Sequence, residues 1–292
     1  MMPEISKVDL HTHSTFSDGS LSPEQLVQRA LSRQLRLLAL TDHDASGGVE
    51  SAVKAAEGTT LKVIAGAELS TTWQNCQIHI VGLFLNLNSQ ALLHFYQGQR
   101  ERRIERAKAI GAKLERQGFH DAYARTCAMA DPGALITRGN YARFIFSTGQ
   151  ASSIDDAFNS YLKKGKSAYV NTLWPSIGEA VDVIRASGGV AVLAHPKRYL
   201  LTNTKLRRLI EEFKSAGGLA MEVASCRQRP CDRVYLGELC QHYGLFASMG
   251  SDYHQGSPWL DLGLGLTLPE GLTPVWECPQ ARELKLDEFL RS

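Results

Sequence analysis

Run after run of apolar residues in this chain stops at a histidine or a carboxylate. Lys7–Leu10 leads into His11-Thr12-His13 and then Asp18. Leu35–Leu40 leads into Thr41-Asp42-His43-Asp44, and Leu61–Ala65 into Gly66-Ala67-Glu68. Cys76–Leu85 carries His79 within it. Val190–Ala194 ends at His195-Pro196, and Leu245–Met249 runs into Gly250-Ser251-Asp252-Tyr253-His254. These runs, with Leu219–Ala224, are too short and too apolar for surface helices, so they read as buried strands. Helical patterns lie between them at Gly48–Glu57, Gly178–Ala186, Leu206–Ser215 and Asp232–Tyr243. Another opens at Ser22-Pro23-Glu24-Gln25, where Ser22 suits the N-cap, Pro23 the first helical position and Gln25 the capping box. Strands alternating with helices predict a mostly parallel sheet with helices packed outside it. If the sheet closes into a barrel, its strand C-termini share one face, and the polar endings meet there.

The alternation breaks between about Asn88 and Ser167. Gln97–Gln117 reads as a long charged helix with Ile104, Ala107, Gly111 and Leu114 on one face, and Asp155–Lys164 as a further helical piece. A helical insertion over residues 88–167 is expected, with a barrel built from residues 1–87 and 168–292. The arginines of Gln97–Gln117 read by default as a solvated face partly neutralised by Glu101, Glu105 and Glu115, and secondarily as a rim that attracts RNA or a dinucleotide. The tail after Pro258 is rich in Gly, Leu and Pro and shows no clear element. A net charge of +2 argues against a general nucleic-acid coat. Met1–Lys7 lacks the apolar stretch of a secretory signal, and no apolar run nears the roughly 18 residues of a membrane span. Six scattered cysteines without a C-x-x-C pair read as reduced thiols, so a cytoplasmic location is expected.

Nine side chains form the candidate ligand set: His11, His13, Asp18, His43, Glu68, His79, His195, Asp252 and His254. Imidazole nitrogen and carboxylate oxygen together suit Mn, Fe or Zn, and the lack of a cysteine ligand argues against a structural zinc site. Nine ligands are too many for one ion. Two or three ions sharing a carboxylate could lower the pKa of a bridging water and stabilise both oxygens of an in-line displacement. That chemistry fits phosphoester hydrolysis. A single histidine at a strand end is usually structural, but so many strand ends of one chemical type would be costly to bury without partners. His94, His120 and His242 fall in helical or irregular stretches and are expected to be exposed.

The segments His11-Thr12-His13-Ser14-Thr15-Phe16-Ser17-Asp18-Gly19, Thr41-Asp42-His43, Gly66-Ala67-Glu68, Ala194-His195-Pro196 and Ser251-Asp252-Tyr253-His254 resemble, in this order, the motifs of the PHP (polymerase and histidinol phosphatase) domain family. The resemblance runs from about Val8 to His254. It implies a distorted (β/α)7 TIM-like barrel with a trinuclear metal centre. One ion would take His11, His13, Glu68 and Asp252, a second Glu68, His79 and His195, and a third Asp18, His43 and His254. His11, Glu68, His195 and Asp252 would be the catalytic residues. Within the family, Ser14–Leu21, Tyr161–Lys166, Thr137–Phe144 and Ala194–Tyr199 are most similar to the short bacterial phosphoesterases. These include 3′,5′-nucleotide bisphosphate phosphatases and 5′-to-3′ exoribonucleases.

A phosphate substrate needs cations beyond the metals. Arg138, Arg143 and Arg198 are the candidates, because guanidinium pairs with phosphate oxygens through parallel hydrogen bonds. The expected function is a hydrolase in which a metal-bridging hydroxide removes the 3′-phosphate of nucleoside 3′,5′-bisphosphates or 5′ nucleotides from short single-stranded RNA. The expected cofactors are two or three divalent ions, with Mn2+ first and Fe2+ or Zn2+ as alternatives. No membrane and no obligate protein partner are expected. The rival readings are a histidinol-phosphate phosphatase and a non-catalytic PHP module.

Overall fold

A computed structural model describes residues 5–257 and 259–291. Seven strands form one sheet in chain order: β1 (Val8–Thr12), β2 (Leu37–Leu40), β3 (Lys62–Trp73), β4 (Cys76–Leu83), β5 (Val190–Leu193), β6 (Ala220–Ser225) and β7 (Phe246–Gly250). The sheet nearly closes on itself. Past the end of β7, Asp252 N–H donates to His11 O at 2.8 Å, and Thr12 pairs with Tyr253 as in a parallel ladder. Gly250 allows this approach, because a Cβ there would stand 2.2 Å from that of His11. The architecture is a distorted α/β barrel.

One strand runs against the rest. β4 pairs antiparallel with both β3 and β5, whereas the other neighbouring pairs are parallel. The reason is local. Only Gln74 and Asn75 separate β3 from β4, and both adopt left-handed backbone, with φ of 44° and 62°. Two such residues make a hairpin, whereas a parallel return needs a crossover of a dozen residues or more. β3 is also longer than the Leu61–Ala65 run, because its second half pairs along the whole of β4.

Along each strand alternate residues face the barrel interior. Ile64, Val81, Leu83, Val190, Val192 and Ala220 gather there in one buried cluster. The same faces turn polar toward the mouth, at Glu68 on β3, His79 on β4 and Glu222 on β6. The opposite faces pack on helices α1 (Pro23–Ser32), α2 (Val49–Ala56), α7 (Ile177–Ala186), α8 (Asn203–Ser215) and α9 (Pro230–His242). The capping box at Ser22 and Gln25 forms as expected.

The intervening helices are α3 (Gln90–Glu115), α4 (Ala122–Ala128), α5 (Arg138–Ser147) and α6 (Ile154–Ala157), with a π-helical turn at Phe158–Leu162. α3 begins earlier than expected and serves two cores. Leu92 joins the barrel's outer cluster, whereas Ala107, Ile110 and Leu114 pack with Phe119, Tyr141, Phe144 and Leu162. The solvated face read from its arginines is corrected here, because Arg103 and Arg106 are buried. The cause is a charge on the barrel. Arg103 Nε donates to Asp44 Oδ2 at 2.7 Å and its Nη2 to Ser70 Oγ at 2.9 Å, while Gln99 Nε2 donates to Asp44 Oδ1 at 2.8 Å.

The tail that showed no clear element closes the barrel's far end. Val275, Cys278, Ala281 and Leu286, the last at the start of α10 (Leu286–Arg291), belong to the interior cluster. Arg36 and Lys62, at the starts of β2 and β3, donate to the backbone oxygens of Phe289 and Leu284. Leu286 is 1% exposed, so Leu286→Ala should cost about 2–5 kcal/mol, as buried leucine truncations do. Urea denaturation checks this, and an unchanged midpoint would mean that the tail is not part of the core.

Candidate metal centre

The nine ligand candidates come from six places in the chain and meet at the barrel mouth. His11 lies within β1 and His13 just past its end, and the register of β1 against β2 shifts between Asp9 and Thr12. The following loop is tied by Asp42, which accepts from Ser14 N–H, Ser14 Oγ and Ser17 Oγ at 2.6–2.8 Å and so fixes Asp18 beside them. His43 follows β2 and pairs with Glu68 as an isolated parallel bridge. His79 lies on β4 opposite Ser70, two residues along β3 from Glu68. His195 and Asp252 follow β5 and β7 in left-handed backbone, with φ of 30° and 53°, and Asp44 shares that conformation at 49°. Backbone of this kind costs non-glycine residues about 1–3 kcal/mol each and persists only where the surroundings enforce it.

Glu68 is the hub. Its Oε1 lies 3.3 Å from His11 Nε2, 2.8 Å from His79 Nδ1 and 2.9 Å from His195 Nε2. Its Oε2 lies 2.7 Å from His43 Nδ1 and 3.5 Å from His13 Nε2. Asp252 Oδ1 stands 3.0 Å from His13 Nε2 and 3.4 Å from His11 Nε2. Asp18 Oδ1 stands 3.1 Å from His254 Nε2 and 3.7 Å from His43 Nε2, while its Oδ2 accepts from Thr137 Oγ1 at 2.5 Å. The His13 and His254 rings stack with centroids 4.1 Å apart.

Three overlapping sets bring their ligand atoms within 4.8 Å of one another: His11, His13, Glu68 and Asp252; His13, Asp18, His43 and His254; and His43, Glu68 and His79. The first matches the grouping implied by the family motifs. The second adds His13 to the expected trio. In the third, His43 stands where His195 was expected, and His195 reaches the same cluster through Glu68. His94, His120 and His242 are exposed and away from it.

The charge pattern is that of a site built for cations. Burial alone would keep Glu68 neutral, but His79, His43 and His11 hold its carboxyl well below the usual range. Asp252 is likewise buried, and Arg198, His254 and His11 hold it well below its usual value. Burial, with His254 and His43 alongside, pushes His13 down to about 3, and burial takes His79 down to about 4. Both rings therefore offer lone pairs at neutral pH. Burial opposes the charged form of His254, but Asp18 and Asp252 outweigh it and raise the ring to about 9. His11 is also buried, and Glu222, Glu68 and Asp252 still hold it well above its ordinary value.

Orphaned polar atoms concentrate here. His11 Nε2, His13 Nδ1, Asp18 Oδ1, His43 Nδ1, Glu68 Oε2 and His195 Nδ1 are buried without a hydrogen-bond partner. His43 Nδ1 and Glu68 Oε2 lie 2.7 Å apart and Asp18 Oδ1 is 3.1 Å from His254 Nε2, but His11 Nε2, His13 Nδ1 and His195 Nδ1 would each cost about 1–3 kcal/mol if left unpaired. Divalent ions would satisfy them, and the mixture of imidazole and carboxylate suits Mn2+, Fe2+ or Zn2+.

The cluster opens into a cleft of about 970 Å³ whose lining includes Arg103, Arg106, Arg138, Arg143 and Arg198. Arg198 Nη1 donates to Asp252 Oδ2, and Arg143 Nη2 to the backbone oxygen of Asp18. Arg138 lies over the Phe158 and Tyr169 rings at 5.2 and 6.0 Å. Sequence reasoning missed Glu222, and it placed Arg103 and Arg106 on a charged helix without singling them out. Glu222 had a readable signal, as the one charged residue in the apolar run Leu219–Ala224.

Metal binding must expel the protons that His11 and His254 carry at neutral pH. Loading the metal-free protein at pH 7 should therefore release protons, and affinity should rise with pH toward about 9, where His254 gives up its own. Calorimetry in two buffers of different ionisation enthalpy measures this. Proton uptake, or none exchanged, would contradict the charge pattern.

A family model of the PHP domain matches residues 9–224. The 5′-3′ exoribonuclease Rnm of Escherichia coli (strain K12) is 45% identical over 277 residues, covering 93% of this chain and 94% of that one. The 3′,5′-nucleoside bisphosphate phosphatase of Chromobacterium violaceum is 38% identical over 282 residues, covering 96% of this chain and 99% of that one. A solved structure described as an amidohydrolase from Chromobacterium violaceum, with bound sulfate and no metal, superposes with a TM-score of 0.89 at 38% identity over 96% of each chain. With the barrel, its seven strands and the ordered ligand motifs, these matches show that the chain belongs to the PHP domain family.

Proposed function

We propose that this PHP-family phosphoester hydrolase cleaves the bond between O3′ and phosphorus in nucleotides that carry a 5′-phosphate. The names of its two relatives point to one local structure. A nucleoside 3′,5′-bisphosphate and the 5′-phosphorylated end of an RNA share a 5′-phosphate, a ribose and a 3′-phosphoester. Hydrolysis at O3′ releases phosphate from the first and a 5′ nucleotide from the second. One site can serve both.

The observation that supports this reading is a second cationic group, Arg103, Arg106 and Arg138, on the lining of the cleft into which the ligand cluster opens. Arg106 is 7% exposed, and its Nε has no hydrogen-bond partner. Burial, with Arg138 and Arg103 nearby, pushes its pKa well below the ordinary guanidinium value. Asp44 pairs with Arg103, which leaves Arg106 and Arg138 beside it to repel one another, and a phosphate among the three would relieve that cost. In this reading Arg103, Arg106 and Arg138 take the 5′-phosphate. Arg143 and Arg198, beside Asp18 and Asp252, face the 3′-phosphoryl group.

The nine ligand candidates would hold two or three divalent ions, with Mn2+ first. Bound ions would supply an activated water and electrophilic charge at the phosphoryl oxygens. The chain's own part is placement. Glu68 and Asp252 hold the imidazoles at fixed distances, and the arginines orient a substrate with two phosphoryl groups before reaction. Six free thiols suit a reducing compartment, and the cytoplasm is the location that fits these substrates. Among the described residues no helix is long and apolar enough to cross a membrane.

A product assay with added Mn2+ tests the reading on adenosine 3′,5′-bisphosphate, short 5′-phosphorylated RNA, the same RNA with a 5′-hydroxyl, and histidinol phosphate. The first two should yield 5′-AMP or 5′ nucleotides, with the other two much slower. Preference for histidinol phosphate would reject it. Arg106→Ala should raise KM for the bisphosphate by about 10–100-fold, the worth of one charged hydrogen bond, and change 3′-AMP hydrolysis far less. Asp252→Asn should abolish turnover while the protein stays folded by circular dichroism, and near-normal activity in that variant would remove the metal centre from the chemistry.

A further inference from the structure

We infer that Glu222 is a positioning residue that fixes the tautomer of His11 and the backbone of His195 at the candidate metal centre. The inference rests on the metal-centre reading above. Glu222 sits on β6 at 2% exposure, between interior neighbours Ala220 and Ala224. Its two oxygens serve two strands. Oε1 lies 2.6 Å from His11 Nδ1, and Oε2 accepts from the backbone N–H of His195 at 2.6 Å.

A carboxylate can only accept, so the shared proton sits on His11 Nδ1. When metal binding displaces the second proton, the neutral ring presents its lone pair on Nε2. That atom is buried without a hydrogen-bond partner, 3.3 Å from Glu68 Oε1 and 3.4 Å from Asp252 Oδ1. The tautomer set by Glu222 thus aims the free nitrogen of His11 at the centre. The second oxygen acts on shape. His195 holds a left-handed φ of 30°, and the bond to its N–H braces that conformation while its Nε2 reaches Glu68. An apolar residue at this position would leave the His11 Nδ1 proton and the His195 N–H unpaired in a dry interior.

Glutamine keeps the shape of the side chain and changes only its donors. If its oxygen serves His195 N–H, its NH2 faces His11 Nδ1, and the ring proton moves to Nε2. Glu222→Gln should therefore weaken Zn2+ and Mn2+ binding by about 10–100-fold, as loss of a ligand-orienting partner does. The manganese concentration for half-maximal activity should rise by the same factor. Thermal unfolding of the chelator-treated variant should match that of chelator-treated wild type. Wild-type metal affinity in the variant overturns the inference, and so does lost apo stability with affinity unchanged. Should Glu222→Gln fail to fold, the zinc-loaded wild type decides by 15N NMR of its histidine rings. His11 with its proton on Nδ1 supports the inference, and a proton on Nε2 overturns it. Failure of the wild type to bind either metal would fell the metal reading itself. Normal binding with the wrong tautomer fells only the role of Glu222.

Discussion

Five imidazoles from four separate segments crowd one buried carboxylate, Glu68, and the rest of the molecule is arranged around that concentration of polar atoms. Water is mostly excluded from it, so each nitrogen and oxygen needs a partner inside the protein or a cation between them. The left-handed backbone at Asp44, His195 and Asp252 belongs to the same bargain. Three residues accept an unfavourable conformation so that their side chains and neighbours point inward rather than out along the strand.

The barrel makes this concentration possible by dividing its interior into two ends. Apolar side chains from the strands and from the tail fill the lower end, and the same alternating positions carry Glu68, His79 and Glu222 above. The reversed strand matters here. In an all-parallel barrel every ligand would sit at or past a strand end. The β3–β4 hairpin instead brings His79 in from mid-strand, held in register across from Ser70.

Helix α3 couples this centre to the residues above it. Arg103 crosses from the helix to Asp44, next to His43, and its guanidinium lies 5.2 Å from the Trp174 ring, beside that of Arg106 at 5.3 Å. One buried ion pair therefore fixes the helix and lines the cleft. A purely structural pair would be an expensive way to anchor a helix, because desolvation offsets much of the attraction. Arg103 and Arg106 both line the cleft into which the ligand cluster opens, so the pair also sets part of the charge on that lining.

The strands, most helices, the side chains that cluster at the barrel mouth and their family pattern were legible in the sequence, because apolar runs, N-caps and metal-capable side chains declare themselves locally. His11, Glu68, His195 and Asp252 could be paired as neighbours because the strand ends of a barrel share one face. Three matters were decided by tertiary structure. The direction of β4 depended on two turn residues, Gln74 and Asn75, whose backbone conformation composition does not reveal. The arginines of α3 read as solvated because nothing local says that Asp44 lies opposite Arg103. The role proposed for Glu222 needed His11, on β1, and the backbone N–H of His195, just past β5, each within 2.6 Å of it. Sequence reports what each residue can do, and distances across the barrel report to which partner it does it.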